Sequence, residues 1–176
     1  MTHSAFWKNS RPAVGIELSK RITPVLSLGT SVMGHINTSS SKTAFDASNV
    51  ELLSKFNMMN LFAGYPGTPR TFEMEAVVGV GWLHGYVNGT GDDNSWGTRL
   101  GMDFNFNIGE EKAWAISLKP SLVYDMEGDF NRHKSRFNAN NARVELLAGI
   151  TYYIKGSSGR HHATRVKEYD QTEVDN

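Results

Sequence analysis

Cysteine is absent from the 176 residues, which excludes disulfides and thiolate metal sites. Net charge is absent too, since 18 Lys and Arg balance 18 Asp and Glu. A nucleic-acid binder carries a basic excess on one face, so that class is set aside. The balance also suits a freely soluble protein badly, because charge away from zero opposes association. No apolar run approaches the roughly 20 residues of a transmembrane helix. Met1 to Lys8 lacks the apolar stretch of a signal peptide. No long segment repeats with a helical period. Hydropathy alone describes a soluble chain whose length suits one domain.

What the sequence does have is a strong period of two. From Trp96 to Ile108 one side reads Trp96, Thr98, Leu100, Met102, Phe104, Phe106 and Ile108, against Gly97, Arg99, Gly101, Asp103, Asn105 and Asn107. From Phe72, the residues Met74, Ala76, Val78, Val80 and Trp82 oppose Glu73, Glu75, Val77, Gly79 and Gly81. Trp114, Ile116, Leu118, Pro120, Leu122 and Tyr124 oppose Ala115, Ser117, Lys119, Ser121, Val123 and Asp125. Ala142 to Ile154 alternates Val144, Leu146, Ala148, Ile150 and Tyr152 with Arg143, Glu145, Leu147, Gly149 and Thr151. Weaker alternation starts at Val14, Leu26 and Val50. Such alternation is the signature of strands with one apolar face.

These segments run to about 9–13 residues, whereas strands of soluble sheets average five or six and tilted membrane strands need about 9–11. Connections alternate between short (20–24, 65–70, 109–112) and long, polar ones (35–48, 87–94, 127–141). Short turns at one end and long loops at the other mark a small antiparallel up-and-down transmembrane β-barrel of the bacterial outer membrane. Seven strands are visible. Closed bacterial barrels have even strand numbers, so eight are expected. Pro120 lies mid-strand without an N–H for the ladder, and a bulge is expected there.

In a soluble sandwich the polar side would meet water. Here it carries Gly15, Gly29, Gly79, Gly81, Gly97, Gly101 and Gly149, and glycine suits a strand interior only where something approaches closely. A narrow lumen with colliding walls would supply that reason. The same side holds Glu17, Glu51, Lys55, Glu73, Glu75, Arg99, Asp103, Lys119, Asp125, Arg143 and Glu145. Buried charges must pair, so a lumen plugged by ion pairs is expected, with Glu73 and Glu75 meeting Arg99 or Arg143. Met74, Val78, Val80, Leu100, Met102, Phe104, Ile116, Leu118, Leu146 and Ile150 would then face lipid. Trp82, Trp96 and Tyr124 near the long-loop end, and Trp114 and Tyr152 near the short-turn end with Phe62, Tyr65, Phe72 and Phe106, suit two interfacial aromatic girdles.

If the strand from Ala13 descends from the long-loop end, residues 1–12 are a loop or the remnant of a first strand, with a degenerate strand as the alternative reading. A preceding strand is then expected to be absent from the chain. Residues 13–155 form the barrel. After Lys155 the composition changes to Gly-Ser-Ser-Gly, His161-His162 and a charged run to Asn176, a linker or tail expected in the periplasm.

Val14-Gly-Ile-Glu-Leu-Ser-Lys-Arg-Ile-Thr-Pro24, Asn57-Met-Met-Asn-Leu-Phe-Ala-Gly-Tyr65 and Val78-Gly-Val-Gly-Trp82 resemble segments of OmpA-like barrels of the Bacteroides lineage. The resemblance covers roughly residues 13–155 and rests on strand and turn patterns. It implies an envelope-tethering role in a longer parent protein. In that family peptidoglycan binding resides in a second domain, which is expected to lie outside this chain.

Catalytic patterns are missing. Glu73 and Glu75 share a face as a hydrolase pair might, but lumen ion pairs explain them better. His161 and His162 read as solvated, and His35, His84 and His133 show no ligand spacing. No nucleophile elbow occurs, and Gly79-Val-Gly81 lies in a strand without a following helix. The run Arg132 to Arg136 reads as a solvated loop, with contact to lipopolysaccharide as the functional alternative. The sequence therefore predicts a non-enzymatic, Gram-negative cell-envelope barrel without cofactor or metal, serving as an anchor and interaction module. Its expected partners are membrane lipid, lipopolysaccharide and other outer-membrane proteins, with no nucleic acid. A porin-like small-solute channel is the alternative, and a soluble lipocalin-like carrier the second.

Overall fold

The alternating segments form strands in a computed structural model, which describes residues 12–36, 44–86, 93–110, 112–126 and 142–154. They are β1 (Ala13–Arg21), β2 (Leu26–Ile36), β3 (Phe45–Asn57), β4 (Phe72–Gly85), β5 (Asp93–Ile108), β6 (Trp114–Met126) and β7 (Ala142–Tyr152), with one short helix, α1 (Met58–Ala63). The protein is all-β. Every strand pairs antiparallel with its sequence neighbours, giving one seven-stranded sheet in the order β1 to β7. The sheet curls into a half-barrel, so Glu17 of β1 meets Lys119 of β6. Residues 1–11 of the expected N-terminal segment, 87–92, 127–141 (with Arg132 to Arg136 and His133) and the tail 156–176 lie outside the described residues.

Local chemistry fixes the short connections. Between β1 and β2, the backbone N–H groups of Ile22 and Thr23 both donate to the Leu26 carbonyl, at 2.9 and 3.1 Å, while Thr23 Oγ1 accepts from Leu26 N at 2.9 Å. Between β5 and β6, Gly109 takes φ 81°, a left-handed conformation that costs glycine nothing. The β3–β4 connection contains α1, which the period-two reading did not foresee. Asn57 caps it, its side chain accepting from Asn60 N at 2.9 Å, which satisfies an otherwise orphaned donor.

Two further expectations need correction. β4 and β5 span 14 and 16 residues, longer than the alternation suggested. The bulge at Pro120 is also missing. Gly101 pairs with Ser121 and Phe104 with Leu118 in one continuous register, with only the intervening pairs lost. On its other side Pro120 stays opposite Leu146 without a shift. The imide nitrogen faces β5, so the ladder drops bonds locally and resumes without an extra residue. The register shift that does occur lies between His35 and Ile36.

Candidate functional site: a buried charge network inside an apolar surface

The pleat sends alternate side chains to opposite sides of the sheet, and the curl makes one side an interior. Arg99 is 5% exposed, and Glu51, Lys55, Glu73, Glu75, Asp103 and Glu145 are also buried. On the outer side, Val78, Val80, Leu100, Ile116, Leu118, Leu146 and Ile150 are exposed, Ile150 at 77%. Met74, Met102 and Phe104 share that side and are half-buried among their neighbours. The distribution is the reverse of a water-soluble domain, where charged groups are almost never fully buried and large apolar patches are small.

Within the interior the charges sort into three groups. Toward the long-connection end, Arg99 Nε donates to Glu51 Oε2 at 2.8 Å and Nη2 to Glu145 Oε2 at 2.9 Å. Its Nη1 donates to Ser121 Oγ at 2.6 Å, and Ser31 Oγ adds a bond to Glu51 at 3.2 Å. Arg143 Nε reaches Glu145 Oε1 at 3.0 Å, although the Arg143 side chain is about half exposed. One guanidinium thus ties β3, β5, β6 and β7 together, using the fork geometry that suits Arg to buried carboxylates.

The second group joins Lys55 to Asp103 at 2.7 Å and to Glu17, and Lys119 to Glu17 at 2.8 Å and to Asp103 at 3.5 Å. Two ammoniums and two carboxylates alternate around a ring. The third group lies at the short-connection end. Arg21 Nη2 sits 3.3 Å from Glu75 Oε1 and 3.7 Å from Glu73 Oε2. Asn105 Nδ2 donates to Glu75 Oε2 at 3.2 Å, and Ser117 Oγ donates to Asn105 Oδ1 at 2.6 Å. Glu73 is buried with no hydrogen bond to either carboxylate oxygen. Just past β7, Tyr153 Oη donates to Asn107 Oδ1 at 3.4 Å, and burial, reinforced by Glu75, pushes its hydroxyl up to about 12.

The expected partners of Glu73 and Glu75 are therefore wrong. Both face Arg21, not Arg99 or Arg143. The signal was present in the sequence, because Arg21 continues the inward parity of Gly15, Glu17 and Ser19, but the strand was read as ending before it. Asp125 lies in β6 with its side chain outside the described residues. Below the third group, the short connections knit together. Arg70 bonds Asn60 Oδ1 and, at 2.6 Å, the Gly64 carbonyl, while Asn60 Nδ2 donates to the Pro24 carbonyl at 2.8 Å.

Glycine crowding has a different source from the one expected. A Cβ at Gly81 would lie 2.4 Å from the Val50 carbonyl oxygen and 2.6 Å from Glu51 Cγ, both on the adjacent strand β3. The pressure comes from neighbouring strands in a tightly bent sheet, not from the opposite wall. Gly149, near the open edge, would meet only Lys119 Cε, at 4.0 Å.

Aromatics cluster on the outer side at both ends. Trp114 and Tyr152 pair at 4.7 Å and Phe72 and Phe106 at 5.0 Å near the short connections. Trp82 and Trp96 are paired across β4 and β5 near the long ones, where Trp82 Nε1 donates to Asn94 Oδ1 at 3.0 Å; Tyr124 lies across from Thr98 at the same end. Phe62 projects from α1 and is exposed. Among the described residues no group of three or more His, Asp or Glu side chains gathers as a metal site. No family model, curated protein or solved structure matches the chain.

Proposed function

We propose that the chain is an outer-membrane β-barrel module of OmpA-like type, anchoring and interacting in a Gram-negative envelope, with its interior filled by ion pairs. The observation that carries this reading is the inverted polarity: Arg99, Lys55 and the carboxylates of Glu51, Glu73, Glu75, Asp103 and Glu145 are buried while Leu118, Val78 and Ile150 are bare. Exposed apolar side chains of this number are costly in water and favourable against acyl chains. The paired aromatic bands fit the two interfaces of a bilayer. In this reading the long connections face outward, where lipopolysaccharide and other outer-membrane proteins would be met. The tail faces the periplasm, and peptidoglycan would be reached only through another domain.

The test is extraction and gel behaviour. The purified protein should need detergent to stay dispersed, and should run at different mobilities before and after boiling. A protein that is monomeric and fully soluble without detergent would sink the proposal. A small-solute channel is the second reading, favoured by the clefts of about 520 and 580 Å³ beside β1 and β7. Planar-bilayer recording separates the two, since the plugged barrel gives no conductance steps. A lipocalin-like carrier would need an apolar interior, and the Arg99 and Lys55 groups oppose that.

A further inference from the structure

The two aromatic bands of the outer side are built differently. At the short-connection end, the rings of the Trp114–Tyr152 and Phe72–Phe106 pairs make no side-chain hydrogen bond among the described residues. At the long-connection end, the register sets Ser48, His84 and Asn94 side by side across β3, β4 and β5, one row beyond the Trp82–Trp96 pair. Trp82 Nε1 donates to Asn94 Oδ1 at 3.0 Å. An indole nitrogen only donates, so that oxygen is an acceptor, and His84 Nδ1, 2.9 Å from the same oxygen, donates to it as well. The Trp82 and His84 rings lie 5.1 Å apart, tilted by 34°. Tyr86 meets His84 edge-on at 4.6 Å, and its Oη shares a hydrogen bond with Ser48 Oγ at 3.2 Å. Three successive rings are thus pinned by their polar atoms.

That pinning decides what the rings offer. An ordinary interfacial tryptophan turns its N–H to lipid head groups. The Trp82 N–H is spent on Asn94 while the residue stays 40% exposed, so its ring surface is what a neighbour meets. Trp96 beside it is 50% exposed, with its indole N–H bonded to no described residue. Asn94 is exposed and keeps its Nδ2 as a further donor. A flat, immobilised aromatic surface flanked by donors suits a pyranose ring. The sugar's C–H bonds point slight positive charge at the π face, and its hydroxyls accept from the donors. Rotamers fixed in advance lower the entropy lost on binding.

We infer that Trp82, His84 and Tyr86, with Trp96 and Asn94 beside them, form a docking plate for the neutral sugar head group of a glycolipid. Charge selects a neutral sugar. Among the described strand residues the outward-facing cation is Lys20, at the far, short-connection end, so no ammonium or guanidinium stands beside the plate to favour a phosphate. Position selects a lipid-borne sugar. The plate stands on the outer wall, continuous with Val80 and Leu100, and not at the mouth of the interior. Under the membrane reading, on which this inference rests, a ligand reaches that wall from within the leaflet, its acyl chains against Val80 and its sugar level with the rings.

Nuclear Overhauser contacts in the full-length chain test this. Phosphatidylethanolamine nanodiscs containing β-glucosyl dioleoylglycerol present the same sugar to both aromatic bands. Contacts from the glucose ring protons should reach the Trp82, His84 and Tyr86 rings and be absent from Trp114 and Tyr152. Asn94→Ala, at an exposed position, unpins two of the rings and should weaken those contacts about three- to tenfold, the weight of one aromatic contact. Equal contacts at both bands would overturn the assignment, since any interfacial ring would then serve. So would undiminished contacts in Asn94→Ala, or His84 ring shifts that dioleoylglycerol without the sugar reproduces in full. Contacts from lipid acyl chains to Val78 and Leu118 report the membrane reading in the same sample, so the two ideas can fail separately.

Discussion

Lys119 on β6 places its Nζ 2.8 Å from Glu17 Oε2 on β1, joining strands near opposite ends of the sheet order. The bond exists only because the sheet curls, and it makes the interior charges a property of the whole fold. Arg99 extends the principle, with carboxylate partners on β3 and β7.

Removing one member of such a group should be far worse than removing all of it. Arg99→Met leaves the Glu51 carboxylate buried without its cation and Glu145 with only the half-exposed Arg143, and should cost about 3–5 kcal/mol. Replacing Glu51 and Glu145 by Leu in the same chain should recover most of that loss. Urea unfolding in micelles measures both. Equal stability of the single and triple variants would contradict the buried-pair account.

The outer side responds to the opposite chemistry. Leu118→Arg puts a charge at mid-strand on the exposed face and should cost about 2–4 kcal/mol in a bilayer. Leu118→Met keeps volume and polarity and should cost less than about 1.5 kcal/mol. Folding yield into lipid vesicles reads the contrast; an Arg variant that folds as well as the parent would show that Leu118 meets water.

Two glycines separate crowding from mere occurrence. Gly81→Ala forces a Cβ against the Val50 carbonyl and should cost about 1–3 kcal/mol. Gly149→Ala finds open space and should be neutral or stabilising by up to about 1 kcal/mol, since alanine restricts the unfolded chain. The midpoint of thermal unfolding should fall for Gly81→Ala and hold or rise for Gly149→Ala.

Tyr153 gives the pH dependence. Its hydroxyl titrates near 12 when folded and near 10 when unfolded, so the folded state holds the proton more tightly. The associated stability is complete below about pH 10 and is lost as pH rises through about 12. Tyr153→Phe should remove the late-titrating phenolate from the ultraviolet titration and flatten the alkaline fall in stability. An unchanged titration curve would mean that another tyrosine carries the shift.

Much of this was legible in one dimension because the pleat has a period of two and the sequence keeps it. Parity alone separates Arg99 from Leu100 and Lys119 from Leu118. Partner choice was not legible: Glu75 meets Arg21 instead of Arg99 because strand stagger and curl decide which inward residues share a level. The helix at Met58–Ala63 was hidden by its six residues, too few to show a 3.6-residue period, so only the Asn57 cap could have announced it. Pro120 was overread. A missing donor interrupts a ladder without obliging the chain to insert a residue.

If the proposed membrane function holds, the reach of Arg99 also constrains how the protein would enter a bilayer. No single hairpin contains both Glu51 and Glu145, so hairpins inserted one after another would carry a bare guanidinium into the acyl layer. On that reading, assembly would instead gather β3, β5 and β7 at the membrane surface, neutralise the interior there, and cross as one body.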